Sequence, residues 1–315
     1  TGFPLCTTAF KTFCTLAYHC RAPFDHCWAP FDHVPAPEEN CFAPEVHFVA
    51  PAATAEAPAE TAAEAPAEAP AAEDDLAYIK GTGKLKVGIT IFSPMNYYNE
   101  AGELVGFETE FTKALCEKLG VTPEFIEINW DTKEIELAAK NIDCIWNGLT
   151  VTEERKQNIG FSDSYIKNMQ VVVIKASKAA EYADTAALAD AAIVAEVGSA
   201  GEAAVAADAN LAKANYTAMP KQADALMEVK AGTADAAVID YVMAKAMVGT
   251  GTDYSDLMIV PNLELAVEEY AIGFRVGSNI IPEANKIIAE LTEDGTLDAI
   301  AATYELTDSL LSNQS

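Results

Sequence analysis

The chain has 315 residues, of which 50% are hydrophobic, so it is long enough to bury one or two sizeable cores. Its 48 acidic and 20 basic residues give a formal net charge of −28. This balance argues against nucleic acid as a partner, because surfaces that bind nucleic acid are rich in basic residues. No run of about 18 apolar residues occurs, so the sequence predicts no transmembrane helix.

The first 50 residues carry all four histidines and five of the seven cysteines. They contain neither the basic segment and long apolar core of a secretory signal peptide nor small residues just before Cys20, as a lipoprotein signal would. We therefore expect residues 1–50 to be an unassigned, unstructured leader. The alternative is a zinc site within residues 19–33, but the spacing matches no familiar zinc motif. We predict no metal site and no cofactor.

Residues 51–75 repeat alanine, proline and glutamate, with occasional threonine. This composition offers too little large apolar surface to offset the entropy lost on folding. Proline at short intervals also prevents a long helix. We expect a disordered, semi-extended linker before a folded body that begins near Asp74.

Beyond the linker, short apolar runs alternate with segments of helical character. Strands are predicted at 84–90, 123–128, 144–146, 170–175, 192–197, 214–219, 236–239 and 265–276. Helices are predicted at 76–80, 108–119, 187–190, 222–230, 285–291 and 297–304. In the helix 108–119, for example, Phe111, Leu115 and Leu119 form one apolar stripe. The alternation of strands and helices is typical of an α/β fold.

Residues 141–163, NIDCIWNGLTVTEERKQNIGFSD, contain the most informative motif of the chain. A buried strand at 144–146 precedes a segment in which Thr150 or Thr152 is predicted to cap a short helix. Arg155 follows one turn later, so hydroxyls, backbone N–H groups and a guanidinium could bind one carboxylate. The simpler interpretation is a surface helix with a solvated arginine.

This stretch resembles a pattern found in the solute-binding proteins of ABC transporters for polar amino acids. The pattern is roughly D-[VAC]-I-x-[SN]-G-[ML]-[TS]-[IV]-T-x-E-R, followed by F-S-x-x-Y. The matching residues are Asp143, Ile145, Asn147, Gly148, Leu149, Thr150, Val151, Thr152, Glu154, Arg155, Phe161, Ser162 and Tyr165. So long a match is specific, whereas a lone threonine and arginine at this spacing would not be.

The resemblance implies a two-lobed α/β fold of the periplasmic-binding-protein type II kind, with two hinge strands. Lobe 1 would comprise residues 76–172 plus 268–315, and lobe 2 residues 173–267. The protein would not be an enzyme. It would bind a free amino acid between the lobes and deliver it to the membrane permease of an ABC transporter. We expect a monomer outside the cell membrane or in the periplasm, lipid-anchored through a leader that is not recognisable here.

The resemblance also implies how the ligand's carboxylate and ammonium are held. Arg155 would bind the α-carboxylate, helped by Thr150 and the backbone of Ser199 and Ala200. The α-ammonium would be bound by two acceptors, the Asp240 carboxylate and the Gly148 carbonyl. From the residues alone, Asp240 is also explained as a helix N-cap, and the small residues at 198–201 as a plain turn.

Three further positions would shape the side-chain end of the pocket. Trp130 would stack on the ligand side chain, while Asn147 and the loop 92–98, Phe92 included, would set selectivity. Many relatives for cationic ligands carry an aspartate at the position of Thr90. The absence of that acid predicts a neutral or polar amino acid.

The alternative function is an enzyme of the same fold, such as a cyclohexadienyl-type dehydratase. Such an enzyme needs a general acid or base in the cleft. Residues 51–315 contain no histidine, so the commonest proton-transfer group is missing from the predicted lobes. A buried glutamate could take its place, and we predict no catalytic residue.

Overall fold

The computed structural model describes residues 74–314, all of which lie in one compact unit, Pro66–Ser315. The predicted leader, the linker up to residue 73 and the alternative zinc site lie outside the described residues. The helices are α1 Asp75–Thr82, α2 Phe107–Leu119, α3 Lys133–Ala138, α4 Ala200–Ala207, α5 Gln222–Ala231, α6 Tyr241–Met247, α7 Ile280–Glu293 and α8 Thr296–Thr303. The strands are β1 Lys84–Ile89, β2 Tyr97–Tyr98, β3 Leu104–Val105, β4 Thr122–Glu127, β5 Cys144–Ile145, β6 Ile159–Phe161, β7 Ile166–Lys175, β8 Ala192–Glu196, β9 Asn215–Met219, β10 Ala236–Asp240, β11 Leu257–Tyr270 and β12 Gly273–Arg275.

Two five-stranded sheets form the framework of the described part. The first sheet has the order β4-β1-β5-β12-β6, and the second has the order β11-β7-β10-β8-β9. β1 pairs in parallel with β4 and β5, and β8 pairs in parallel with β9 and β10. Parallel strands need helical crossovers, which α2 and α3 supply in the first sheet and α4 and α5 in the second. The predicted α/β class is confirmed.

The chain passes between the two sheets twice. It leaves the first sheet after β6 and enters the second at β7, and it returns between β11 and β12. β7 and β11 pair along much of their length, from Ile166 with Tyr270 to Lys175 with Leu257. The lobe boundaries near residues 172 and 268 fall inside these two strands, and they stay a prediction.

Three expected elements differ from the structure. The helix predicted at 187–190 forms only as a 3-10 turn over Ala186–Leu188. The predicted strand 265–276 is the end of β11 followed by β12, which belongs to the other sheet. The predicted short helix before Arg155 is wrong as an α-helix, because only one 3-10 turn forms over Arg155–Gln157. The Thr152 hydroxyl nevertheless accepts a hydrogen bond from the Arg155 backbone N–H at 3.1 Å. A local cap therefore holds Arg155 even without a regular helix.

Residues 74–314 contain neither a membrane-spanning helix nor a cluster of metal-binding side chains. No helix there is long and apolar enough to cross a bilayer, and no group of three or more His, Cys, Asp or Glu side chains could hold a metal ion. Cys116 and Cys144 are both buried and free. Burial raises the pKa of the Cys116 thiol to about 12.

Helix α2 lies behind the first sheet, and its start is fixed by a close backbone approach at Gly106. This residue has φ +130°, and a Cβ there would lie 2.2 Å from the Met95 carbonyl oxygen. The next two backbone N–H groups, of Phe107 and Glu108, donate to the carbonyls of Pro94 and Met95. The loop after β1 and the start of α2 therefore fit together only when residue 106 has no side chain.

We expect Gly106→Ala to lower the free energy of unfolding by about 3 kcal/mol, because a positive φ and a backbone clash act together. Gly102→Ala is a matched control, since Gly102 has φ +77° and no atom within 4 Å of the added Cβ. Its cost should be about 1 kcal/mol, from the backbone conformation alone. Urea unfolding of both variants measures the difference, and equal losses would contradict the close approach.

Candidate ligand-binding site

A cavity lies where the carboxyl ends of strands from both sheets meet. It encloses about 360 Å³, its opening to solvent included. Its lining residues are Thr90, Ile91, Phe92, Trp130, Asn147, Gly148, Thr150, Arg155, Glu196, Ser199, Ala200, Gln222, Asp240 and Met243. All nine residues proposed from the sequence are in this set. Ligands of α/β proteins commonly bind at the carboxyl ends of parallel strands.

Arg155 is buried and reaches from the first sheet toward the second. Its guanidinium donates to the Thr150 carbonyl at 2.9 Å and to the Gly198 carbonyl at 3.1 Å. No carboxylate lies within ion-pair distance of it among residues 74–314, and burial lowers its pKa. Because a guanidinium has five N–H donors, two carbonyls leave donors for a carboxylate in the cavity.

The start of α4 adds neutral donors beside Arg155. The Ser199 hydroxyl accepts the Glu202 N–H at 3.1 Å, and the Glu202 carboxylate accepts the Gly198 N–H at 2.7 Å. These two bonds cap the start of α4 and leave the Ala200 and Gly201 N–H groups without an intrahelical acceptor. Ser199 and Ala200 therefore present a helix N-terminus to the cavity, which favours an anion.

Asp240 ends β10 and is held by side chains alone. Its Oδ1 accepts from Asn168, from Gln170 at 2.8 Å and from the Tyr270 hydroxyl at 2.6 Å, and its Oδ2 accepts from Gln222. All four donors are neutral groups, so this carboxylate is hydrogen-bonded but has no ion-pair partner among residues 74–314. Asp240 is the N-cap residue of α6, as the simpler interpretation had it, but its side chain makes no cap bond to that helix.

Gly148 is tied to the helix behind the sheet. Its N–H donates to both oxygens of the buried Glu108 carboxylate, at 3.0 and 2.9 Å. Glu108 also accepts from Asn96 and Tyr165, and burial raises its pKa to about 7. A Cβ on Gly148 would lie 2.5 Å from the Phe92 ring, so glycine lets Phe92 pack at the cavity wall. Phe92 thus lines the cavity.

Asn147 has a more structural role than the selectivity role expected from the sequence. Its Oδ1 accepts from the Thr90 N–H and hydroxyl at 3.0 and 2.6 Å, and its Nδ2 donates to the Thr90 carbonyl at 2.9 Å. These bonds join the ends of β1 and β5. Asn147 lines the cavity, but its amide is used to fix Thr90. Of the loop 92–98, only Phe92 lines the cavity, and Tyr98 is 55% exposed.

Trp130 is buried and has a cation over its ring. The Lys133 ammonium lies 4.7 Å from the ring centroid and donates to the carbonyls of Trp130 and Gly198 at 3.1 and 3.0 Å. Burial, then the nearby Arg155, lowers the pKa of Lys133 to about 8. Lys133 therefore links the two sheets beside Arg155, a role that the sequence gave no reason to expect.

Glu196 and Gln222 are the polar lining residues that the sequence reasoning missed. Glu196 is the last residue of β8, and Asp240 is the last residue of β10. This shared position at a strand end could have marked Glu196 as a cavity residue from the sequence. Burial, and then the neighbouring Asp240, raises the pKa of Glu196 to about 8. Gln222 lies at the start of α5 and bonds to both acids.

The chain matches a known protein family. The family of bacterial extracellular solute-binding proteins, family 3, matches residues 85–307. The chain belongs to this family. The solute-binding protein is 27% identical to the L-cystine-binding protein TcyJ of Escherichia coli K12 over 233 residues, covering 72% of this chain and 84% of TcyJ. The resemblance seen in the sequence is therefore confirmed.

Solved structures confirm the predicted periplasmic-binding-protein fold. An ancestral arginine-binding protein bound to arginine is 32% identical, with a TM-score of 0.66, over 70% of the solute-binding protein and 98% of its own chain. The ancestral amino acid-binding protein AncCDT-1, a precursor of cyclohexadienyl dehydratase, is 27% identical, with a TM-score of 0.66. The match covers 73% of the solute-binding protein and 98% of the AncCDT-1 chain.

The buried acids predict an unusual dependence of stability on pH. Glu108 and Glu196 have pKa values raised to about 7 and about 8, against about 4.3 in an unfolded chain. At pH values between the unfolded and the native pKa, the native state keeps protons that the unfolded state has lost. Raising the pH in this range therefore favours unfolding. We expect the free energy of unfolding to fall from about pH 5 to about pH 7.5, and Glu196→Gln to flatten this fall. Urea unfolding across this range tests it, and stability that rises with pH would contradict it.

Proposed function

We propose that this protein binds a free α-amino acid between its two sheets and delivers it to the membrane permease of an ABC transporter. One observation carries the proposal. A buried guanidinium, Arg155, and a carboxylate held by neutral donors, Asp240, line the same cavity from different sheets. A zwitterion offers the two opposite charges that such a pair requires.

Each charged group of the ligand has its own partners in this proposal. The α-carboxylate accepts from Arg155 and from the α4 N-terminus at Ser199 and Ala200, with Thr150 beside it. The α-ammonium donates to Asp240 and to the Gly148 carbonyl, while the ligand side chain extends along Trp130. Since these groups come from both sheets, the ligand favours the conformation in which the sheets are close.

The cellular setting follows from the family. The protein would act at the extracellular face of the membrane or in the periplasm, as a monomer that meets its permease there. A lipid anchor at the membrane is part of this proposal. The relatives are binding proteins, and we propose that this chain likewise performs no reaction.

A second candidate is the dehydratase, and Glu196 is the observation that favours it. Glu196 lines the cavity and has a pKa raised to about 8, as a general acid working near neutral pH would. AncCDT-1 is described as the precursor of such an enzyme. A turnover assay with cyclohexadienyl acids separates the two functions: binding of amino acids at one-to-one stoichiometry without product formation supports transport.

We expect Arg155→Ala to weaken amino-acid binding by about 100-fold or more, because it leaves the ligand carboxylate desolvated without its cation. Calorimetry with a panel of the free L-amino acids, on protein unfolded and refolded to remove carried-over ligand, measures the change. Lys156→Ala is the matched control, since Lys156 is the next cation along the chain and pairs only with the exposed Glu153. Unchanged affinity in a folded Arg155→Ala variant would contradict the proposed function.

A further inference from the structure

The cavity contains a second acid besides Asp240, and this acid has no cationic partner. Glu196 is 4% exposed and lines the cavity at the end of β8. Its side chain bonds to that of Gln222, but no lysine or arginine lies within ion-pair distance of it in residues 74–314. The nearest cation that acts on it, Lys133, donates its hydrogen bonds to two carbonyls instead.

The cavity continues into two surface grooves, one at each of its ends. At one end it shares Arg155, Ser199 and Ala200 with an adjoining groove. At the other end it shares Thr90 and Trp130 with a groove that Lys221 also lines.

Glu196 of β8 pairs with Met219 of β9, and the next residue, Pro220, lines this second groove, so Glu196 lies beside the second end. A ligand whose carboxylate binds Arg155 therefore directs its side chain toward Trp130 and Glu196.

We propose that the ligand is an amino acid with a cationic side chain, and that Glu196 is the residue that pairs with this cation. The inference rests on the proposed function and narrows its substrate class. It departs from the expectation of a neutral or polar ligand, which rested on the missing acid at Thr90. In this protein the acid is Glu196 on the second sheet, whereas Thr90 follows β1 of the first sheet.

The chemistry of the second end fits a guanidinium or an ammonium group. A carboxylate binds a guanidinium or an ammonium group through charge-assisted hydrogen bonds, and Glu196 has no such cationic partner of its own among residues 74–314. Asp240 of β10 and Asp224 of α5 raise the pKa of Glu196, whereas Lys133 of α3 and Gln222 lower it. Burial and the two acids dominate, so a ligand cation would relieve the cost of ionising Glu196 in the cavity.

The test compares ligands that have the same shape but differ in charge. Calorimetry on the refolded full chain would use L-arginine against L-citrulline and L-lysine against L-2-aminoheptanoic acid, in which a methyl group replaces the side-chain ammonium. We expect at least one cationic ligand to bind about 10- to 100-fold more tightly than its neutral counterpart. Glu196→Gln should remove most of that preference and change the affinity for the neutral ligand by less than about 3-fold.

Two further variants control for charge and for folding. Glu134→Gln removes an equal charge near the cavity mouth, where Glu134 accepts from Asn158, and it should leave the preference unchanged. Glu196→Asp keeps the charge on a shorter side chain and should retain part of the preference. The thermal melting of each variant shows whether it is folded.

Three outcomes would overturn this inference and leave the proposed function standing. The first is that the wild-type protein binds neutral ligands as tightly as cationic ones. In the second, Glu196→Gln weakens cationic and neutral ligands equally, which would make Glu196 a partner of the α-ammonium. In the third, Glu196→Gln leaves the preference intact, which would make its role structural. If no amino acid binds at all, the proposed function itself fails.

Discussion

The buried guanidinium of Arg155 is the constraint on which the rest of the site depends. A charge removed from water must be paired or hydrogen-bonded, and Arg155 satisfies part of this need with the Gly198 carbonyl of the other sheet. Lys133 donates to the same carbonyl, and Lys221 pairs with Glu127 across the same gap. Each of these bonds is lost when the sheets separate. The position of the sheets and the solvation of the cavity cations are therefore linked.

The two sides of the cavity carry opposite charge. Arg155 and Lys133 follow strands of the first sheet, whereas Asp240 and Glu196 end strands of the second. Glu268, on β11 of the second sheet, also has a raised pKa, because it is buried and lies near Asp240. Since the donors to Asp240 are neutral, its charge acts on whatever enters the cavity and on the acids beside it. A cation that enters the cavity would therefore be attracted to this group of acids.

How much the sequence could predict depends on the range of the interaction. Arg155 and Asp240 were predictable because a strand end and a long local motif mark them. The pairing of Asn147 with Thr90 was not, because its partner lies 57 positions away. Glu196 was overlooked because a glutamate after an apolar strand is ordinarily solvated, and only the second sheet makes it buried. Likewise, nothing local in 265–276 shows that the chain changes sheets there.

The segregation of charge gives the cavity a direction. Two unit charges about 4 Å apart interact by about 4 kcal/mol at an effective dielectric constant of about 20, so a zwitterion inserted between the sheets is strongly oriented. In the proposed orientation its carboxylate would be drawn to the first sheet and its ammonium to the second. A second cation on the ligand would also be drawn to the second sheet, where Glu196 lies. Because the acid that would meet this cation and Arg155 lie on different sheets, recognition of the side chain would also favour a close approach of the sheets.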